Sequence, residues 1–170
     1  MSNTKNNYRS NLSLRAATAA DEEFLKAVYA DSRRNELSAL GWTRREEDDF
    51  FAMQFQMQKN AYRMQFPNAE YLIVESANDC VGRLIIEHRH EEIRIVDVAV
   101  LAEFRNQGIG AELIRKLKSE AEKAEKFLFL CVLKTNEAAI RFYERENFVV
   151  AEETELYSYL HWRAADKQQK

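Results

Sequence analysis

The chain predicts a mixed α/β fold: a central, mostly antiparallel sheet of about seven strands with about four helices, in the order β-α-α-β-β-β-α-β-α-β-β. Three observations predict it. The apolar period switches repeatedly between two and 3.6 residues. Three β-rich runs follow one another across short polar turns, which indicates antiparallel hairpins. Later, one strongly apolar run lies between two helical patterns, as a strand reached by helical crossovers does.

The elements follow in order. Leu12, Leu14 and Ala16 alternate with polar neighbours like a half-buried strand, and Thr18 precedes Asp21, Glu22 and Glu23, which suit a helix start. Phe24, Leu25, Val28 and Tyr29 recur at helical spacing until the pattern fades near Arg33 and Arg34, before a loop through Gly41 and Trp42. Thr43 and Glu46 have the spacing of a capping box. Phe50, Phe51, Gln54, Phe55, Gln58 and Tyr62 then carry a helical face to Phe66, and Pro67 ends it. Tyr71 to Glu75, Cys80 to Glu87 and Ile93 to Val100 read as strands, separated by Ala77-Asn78-Asp79 and by His88 to Glu92. Ile109, Leu113, Leu117, Ala121 and Ala124 mark a helix that opens at Gly108-Ile109-Gly110. Phe127 to Leu133 reads as a central buried strand, Asn136 to Arg145 as a short helix, and Phe148 to Ala151 and Leu156 to Trp162 as closing strands.

At 170 residues the chain falls within the range of about 100–200 residues for one domain. Residues 11–162 are expected to form it, with polar tails at 1–10 and 163–170. Apolar residues at 46% can build a core, and charged residues at 31% can solvate its surface. A net charge of −3 argues against nonspecific nucleic-acid binding. No secretory apolar region or membrane-length run is evident, so cytoplasmic residence without a membrane partner is expected. Cys80 and Cys131, each within an apolar strand, are expected as buried free thiols.

Three segments carry the chemistry: Ile95-Val96-Asp97-Val98-Ala99-Val100, Arg105-Asn106-Gln107-Gly108-Ile109-Gly110, and Asn136 through Tyr143 to Phe148. They resemble the acetyl-CoA signature of the GNAT superfamily, whose element order matches about residues 12 to 162. Arg105, Gly108 and Gly110 fill the family pattern of Gln or Arg, two residues, Gly, one residue, then Gly or Ala. Glycines there let backbone approach a ligand, and a new helix offers unpaired N–H groups and partial positive charge to a pyrophosphate. A P-loop requires Lys then Ser or Thr after its last glycine, where this chain has Ala111 and Glu112. A dinucleotide fingerprint requires Gly or Ala at the position of Leu113. An isolated G-x-G would mark only a turn; its succession of neighbours favours a cofactor loop.

The resemblance implies acetyl-CoA as cosubstrate and no metal. It implies that the backbones of Val98 and Val100, flanking Ala99, pair with the pantetheine arm. It assigns the pyrophosphate to Arg105, Asn106, Gln107, Gly108, Ile109, Gly110 and Ala111, and a cofactor contact to the helix cap Asn136. Tyr143 matches the phenol that protonates the departing thiolate, and an ordinary pKa of about 10 keeps it protonated at neutral pH. By its own spacing Tyr143 reads as a core aromatic beside Ala139, Ile140 and Phe142, and it is the surrounding motif that favours the functional role. Two departures stand out. Ala102 occupies a position that is often Pro, and Glu146-Asn147-Phe148 replaces Leu-Gly-Phe, where Asn can supply the left-handed cap.

Asp97 and Glu87 are the candidate general bases. Asp97, among Val96, Val98 and Val100, is expected to have a perturbed pKa, or instead to bond a backbone group or an arginine. His88 and His90 with Glu91 and Glu92 read as an exposed hairpin turn, without a third distant metal ligand. Trp42, Phe50, Tyr62, Phe66 and Tyr71 can line an acceptor pocket or fill core. Glu46, Glu47, Asp48 and Asp49 can attract a cationic amine or simply solvate a helix start. Cys131 lacks an activating neighbour in sequence, so no acyl-enzyme is expected.

The expected function is transfer of acetyl from acetyl-CoA to a primary amine by direct attack. The alternatives are a noncatalytic acyl-CoA-binding or interaction module and an acyltransferase for longer acyl groups. The expected partner is a small-molecule or peptide amine, with the protein a monomer or homodimer; the resemblance implies that the acceptor is met by residues Asn35 to Trp42 and Tyr157 to Trp162, which carry no motif of their own.

Overall fold

The computed structural model describes residues 12–37 and 41–164, without the side chains of 35–37. The outermost residues expected as polar tails therefore lie outside it, as does part of the Asn35 to Trp42 segment. The strands are β1 (Leu12–Ala16), β2 (Glu70–Ser76), β3 (Asp79–His88), β4 (Glu92–Val100), β5 (Phe127–Leu133), β6 (Val149–Glu153) and β7 (Tyr157–Trp162). The helices are α1 (Glu22–Leu37), α2 (Arg44–Gln65), α3 (Ile109–Lys123) and α4 (Glu137–Arg145), with 3₁₀ turns at Ala19–Asp21 and Ala102–Phe104. The seven strands form one sheet in the order β1-β2-β3-β4-β5-β7-β6. β4 and β5 run parallel, from Glu92 opposite Phe127 to Ile95 opposite Leu130. β1 with β2, β5 with β7 and β6 with β7 are antiparallel. This is the mixed sheet that the periodicities predict. Among the described residues, no helix is long and apolar enough to cross a membrane.

The described residues divide into two compact units, one within Met1–Ile85 and Asp97–Gly110 and the other within Ile86–Val96 and Ala111–Lys170. In the first, α1 and α2 bury Tyr29, Ala30, Phe51 and Phe55 together. The Tyr29 ring meets Phe55 edge-on at 5.9 Å, the offset that ring quadrupoles favour. The capping box forms: Thr43 N donates to the Glu46 carboxylate at 2.8 Å, and Thr43 Oγ1 accepts from Glu46 N at 3.4 Å. α1 runs beyond Arg33 and Arg34, where its apolar pattern fades. A solvated helical turn needs no apolar face, and Arg34 instead bridges to Glu47 of α2 at 3.4 Å.

Arg15 ties the edge of this unit. Its two Nη atoms donate to Asp21 at 2.8 and 2.7 Å, and its Nε donates to Glu75 at 2.7 Å. The guanidinium, followed by the Thr18 N–H, holds the Asp21 carboxyl far below the usual carboxylate range.

Gly82 lies in the buried stretch Val81 to Ile86. A Cβ there would overlap the Ala99 carbonyl oxygen and stand 3.1 Å from Val100 Cα. Only a glycine lets β3 pass the end of β4 so closely.

In the second unit, Ile114, Leu117 and Ala121 of α3, Leu128 and Leu130 of β5, and Leu160 of β7 are buried. β5 corrects one expectation. Leu128, Leu130 and Val132 are buried on one face, but Leu133 and Cys131 are exposed. The strand thus alternates like a one-sided strand, and the two thiols are not both buried: Cys80 is half-buried and Cys131 exposed, both free. Partial burial of its sulfur pushes the Cys131 thiol up, so it stays protonated and poorly nucleophilic.

Two outcomes are expected. Gly82→Ala costs about 1–3 kcal/mol, as overpacking does, and denaturant titration will show a lowered midpoint. Because folding lowers the Asp21 pKa, its stabilisation is present above about pH 4 and lost as pH falls from there. Acid unfolding followed by circular dichroism is therefore expected to be shallower for Asp21→Asn than for the wild type.

Candidate functional site

The loop from β4 to α3 is built by local constraint. Leu101 N donates to Val81 O at 2.9 Å, and the 3₁₀ turn closes through Phe104 N to Leu101 O at 2.9 Å and Arg105 N to Ala102 O at 3.2 Å. Asn106 (φ 59°) and Gly108 (φ 81°) then take left-handed conformations that reverse the chain into α3. The first-turn N–H groups at Ile109, Gly110 and Ala111 have no intrahelical acceptor. Such a terminus carries roughly half a positive charge, suited to a phosphate.

Side chains brace this loop. Arg105 Nε donates to Val100 O at 2.7 Å, and its Nη2 meets Asp31 Oδ2 of α1 at 2.5 Å. The same Asp31 oxygen accepts from Ala102 N at 2.9 Å. Proline at 102 has no N–H to give, so here a carboxylate bridge does the stiffening that a ring does elsewhere in the family pattern. Gln107 Nε2 donates to Glu103 O at 2.8 Å. Arg105 and Gln107 are thus turned back on the protein.

Asn136 caps α4, its side-chain oxygen accepting from Ala139 N at 3.2 Å. At the other end Asn147 adopts φ 58°, and Phe148 N donates to Tyr143 O at 2.9 Å, so Asn replaces the family's glycine without loss of the turn. Tyr143 is buried, edge-on to Phe142 at 5.1 Å and to Phe148 at 5.3 Å.

Both base candidates are engaged by arginines. Asp97 accepts from Arg83 Nε at 2.6 Å, the alternative foreseen for it, and Glu87, itself buried, accepts from Arg89 Nε at 2.5 Å. Arg83 is only 4% exposed and also donates from Nη2 to Gln58 at 3.0 Å. Asp97, Val98 to Val100 and Arg105 to Gly110 share the first unit; Glu87, Ala111, Asn136 and Tyr143 belong to the second.

A cavity of about 510 Å³ lies in the first unit, with Tyr62, Tyr71 and Arg83 on its wall. The other aromatics suggested for such a pocket go elsewhere: Phe66 is buried against Tyr62, and Trp42, 40% exposed, stands edge-on to Phe50. Among the described residues no cluster of three metal-ligating side chains forms; His88 instead faces Glu120 at 3.5 Å. The acidic run behaves as a helix start, with Glu46 in the capping box and Asp48 near Arg44 at 3.5 Å.

Sequence reasoning overlooked Asp31, Gly82 and Arg83. Arg83 had a readable signal: a lone cation in the apolar run Val81 to Ile86 demands a partner, and Asp97 is the lone anion in the run Ile93 to Val100.

The family model described as Acetyltransferase (GNAT) family matches residues 25–148. N-alpha-acetyltransferase 60 of Xenopus tropicalis is 48% identical over 58 residues, 32% of this chain, and the match spans 24% of that relative's length. An acetyltransferase from Thermus thermophilus superimposes with a TM-score of 0.68 at 14% identity, over 92% of this chain and 99% of that one. The PaiA N-acetyltransferase from Thermoplasma acidophilum, solved in complex with coenzyme A, gives 0.66 at 13% identity, over 90% and 99%. At such identities the two structures show a shared fold.

The brace predicts that Asp31→Asn, which keeps size but weakens both bonds, lowers acetyl-CoA affinity about tenfold. Calorimetry with acetyl-CoA, beside an unchanged far-ultraviolet dichroism spectrum, checks it.

Proposed function

The chain belongs to the acetyltransferase (GNAT) family, and on that premise we propose that it moves the acetyl group of acetyl-CoA to a primary amine by direct attack in a ternary complex. The family makes it an acyl-CoA-dependent N-acyltransferase with acetyl-CoA as cosubstrate. The observation that carries the reading is the braced loop, which opens α3 through Gly108 at φ 81° while Arg105 and Gln107 are tied back. That arrangement fits a pyrophosphate held by backbone N–H groups from Arg105 to Ala111.

In this reading the strand from Val98 to Val100 receives the pantetheine arm and offers backbone N–H groups to the developing oxyanion. The neutral amine forms the new N–C bond as the C–S bond breaks. Asp97 accepts the nitrogen's proton, with Glu87 as the other candidate, and Tyr143 gives a proton to the thiolate and regains one from solvent. Asn136 adds a cofactor contact from its capping position. The likeness to an N-alpha-acetyltransferase supports a peptide α-amine as one form of the acceptor.

Thiol release from acetyl-CoA in the presence of amine pools tests the reading. Tyr143→Phe is expected to lower kcat roughly a hundredfold or more while acetyl-CoA affinity holds. Unchanged turnover returns Tyr143 to a core role, and acetyl-CoA binding without thiol release from any amine leaves a noncatalytic binding module.

A further inference from the structure

The cavity of about 510 Å³ in the first unit falls within the roughly 300–1,000 Å³ typical of small-molecule sites. Leu25, Phe55, Leu72 and Ile85 give it apolar walls. Its polar wall is dominated by donors. Tyr71 Oη is buried and, among the described residues, has no hydrogen-bond partner. Tyr62 Oη only accepts, from Gln58 Nε2 at 3.4 Å, so its own hydrogen is not directed at that partner. Burial, followed by the charge of Asp97, pushes the Tyr62 phenol up to about 12, which keeps that hydrogen in place. Arg83 has five N–H donors, and its side-chain bonds use Nε on Asp97 and one Nη2 hydrogen on Gln58. On the acceptor side, the Glu22 carboxylate is already held by Lys59 at 2.6 Å. A buried donor without an acceptor is costly, so a wall of this kind fits a ligand that brings oxygen.

The cavity also adjoins the proposed chemistry. Arg83 lines it and holds Asp97, whose neighbour Val98 begins the strand assigned to the thioester. We propose that this cavity holds the body of the acceptor, an amine whose molecule also carries a carboxylate or carbonyl oxygen and an apolar group, as an amino acid or short peptide does. The oxygen meets Tyr71, Tyr62 and the open edge of Arg83, and the apolar group lies on Leu25, Phe55 and Leu72. A plain alkylamine or a polyamine leaves those donors unmet. The assignment rests on the acetyltransferase reading for the word acceptor, while the binding chemistry stands on the cavity alone.

L-phenylalanine and phenethylamine share a ring and an amine and differ by the carboxylate, so they separate the two questions. Calorimetry on the full chain without acetyl-CoA is expected to show phenylalanine binding about tenfold or more tightly than phenethylamine, with Tyr71→Phe removing most of the difference. In thiol-release assays the same substitution is expected to raise KM for phenylalanine and leave that for phenethylamine, with acetyl-CoA affinity unchanged. Tyr71→Phe also deletes an unsatisfied hydroxyl, and is expected to raise Tm by about 2–4 °C. Equal binding of the two probes, no binding of phenylalanine, or a Tm that falls with Tyr71→Phe overturns the proposal. Thiol release with other amines in that case leaves the acetyltransferase reading standing, whereas phenylalanine binding without thiol release from any amine removes the acceptor assignment.

Discussion

One carboxylate oxygen, Oδ2 of Asp31, holds the segment on which the cofactor reading depends. It accepts both the Ala102 N–H and the Arg105 guanidinium, 71 and 74 residues further along the chain. The segment's other ties are the Leu101 N–H to Val81 O and bonds within the turn itself. Anchoring it to α1 fixes where α3 begins, and hence where its unpaired N–H groups lie. The bond also explains how the chain tolerates Ala at a position where proline would provide stiffness. A backbone N–H that proline lacks becomes the donor for the brace.

Arg83, buried, and Asp97, half-buried, work under a different constraint. Burying two charges gains little net stability, and removing either partner leaves the other stranded in a poor medium. Such a pair is more readily understood by what it positions. Arg83 reaches Gln58 on α2 and Asp97 on β4, with its guanidinium carbon 5.7 Å from the Tyr29 ring centroid. It therefore links the helical layer, the cavity and the strand proposed to receive the thioester. Gly82, its neighbour, removes the side chain that would push that strand away.

The order of elements was legible because each depends on local pattern: β-rich runs between short polar turns in β2 to β4, the capping box of α2, the 3.6 period of α3. The left-handed Asn147 and the Asn136 cap were legible for the same reason, since both follow from one residue's own stereochemistry. The cofactor loop stood out through spacing and neighbours together. What escaped depended on distant parts meeting. Asp31 looks like an ordinary polar residue on a helix until the loop folds against it. Gly82 reads as a weak point in a strand until Ala99 is placed over it. Cys131 read as buried because an apolar run does not reveal how well each of its faces is covered, and β5 proved one-sided. Asp97 was left between base and ion pair, and Arg83, 14 residues earlier in the chain, supplies the arginine at 2.6 Å.

The central claim is that the loop from Arg105 to Gly110 grips the pyrophosphate of acetyl-CoA with backbone geometry that only glycine adopts freely at 108. Titration calorimetry of acetyl-CoA against the wild-type chain and against Gly108→Val tests it most directly. Binding at micromolar Kd or tighter is expected for the wild type, with a loss of at least about tenfold in the variant, because a β-branched residue strains a backbone at φ 81°. No binding to the wild type, or equal affinity in the two proteins, contradicts the claim.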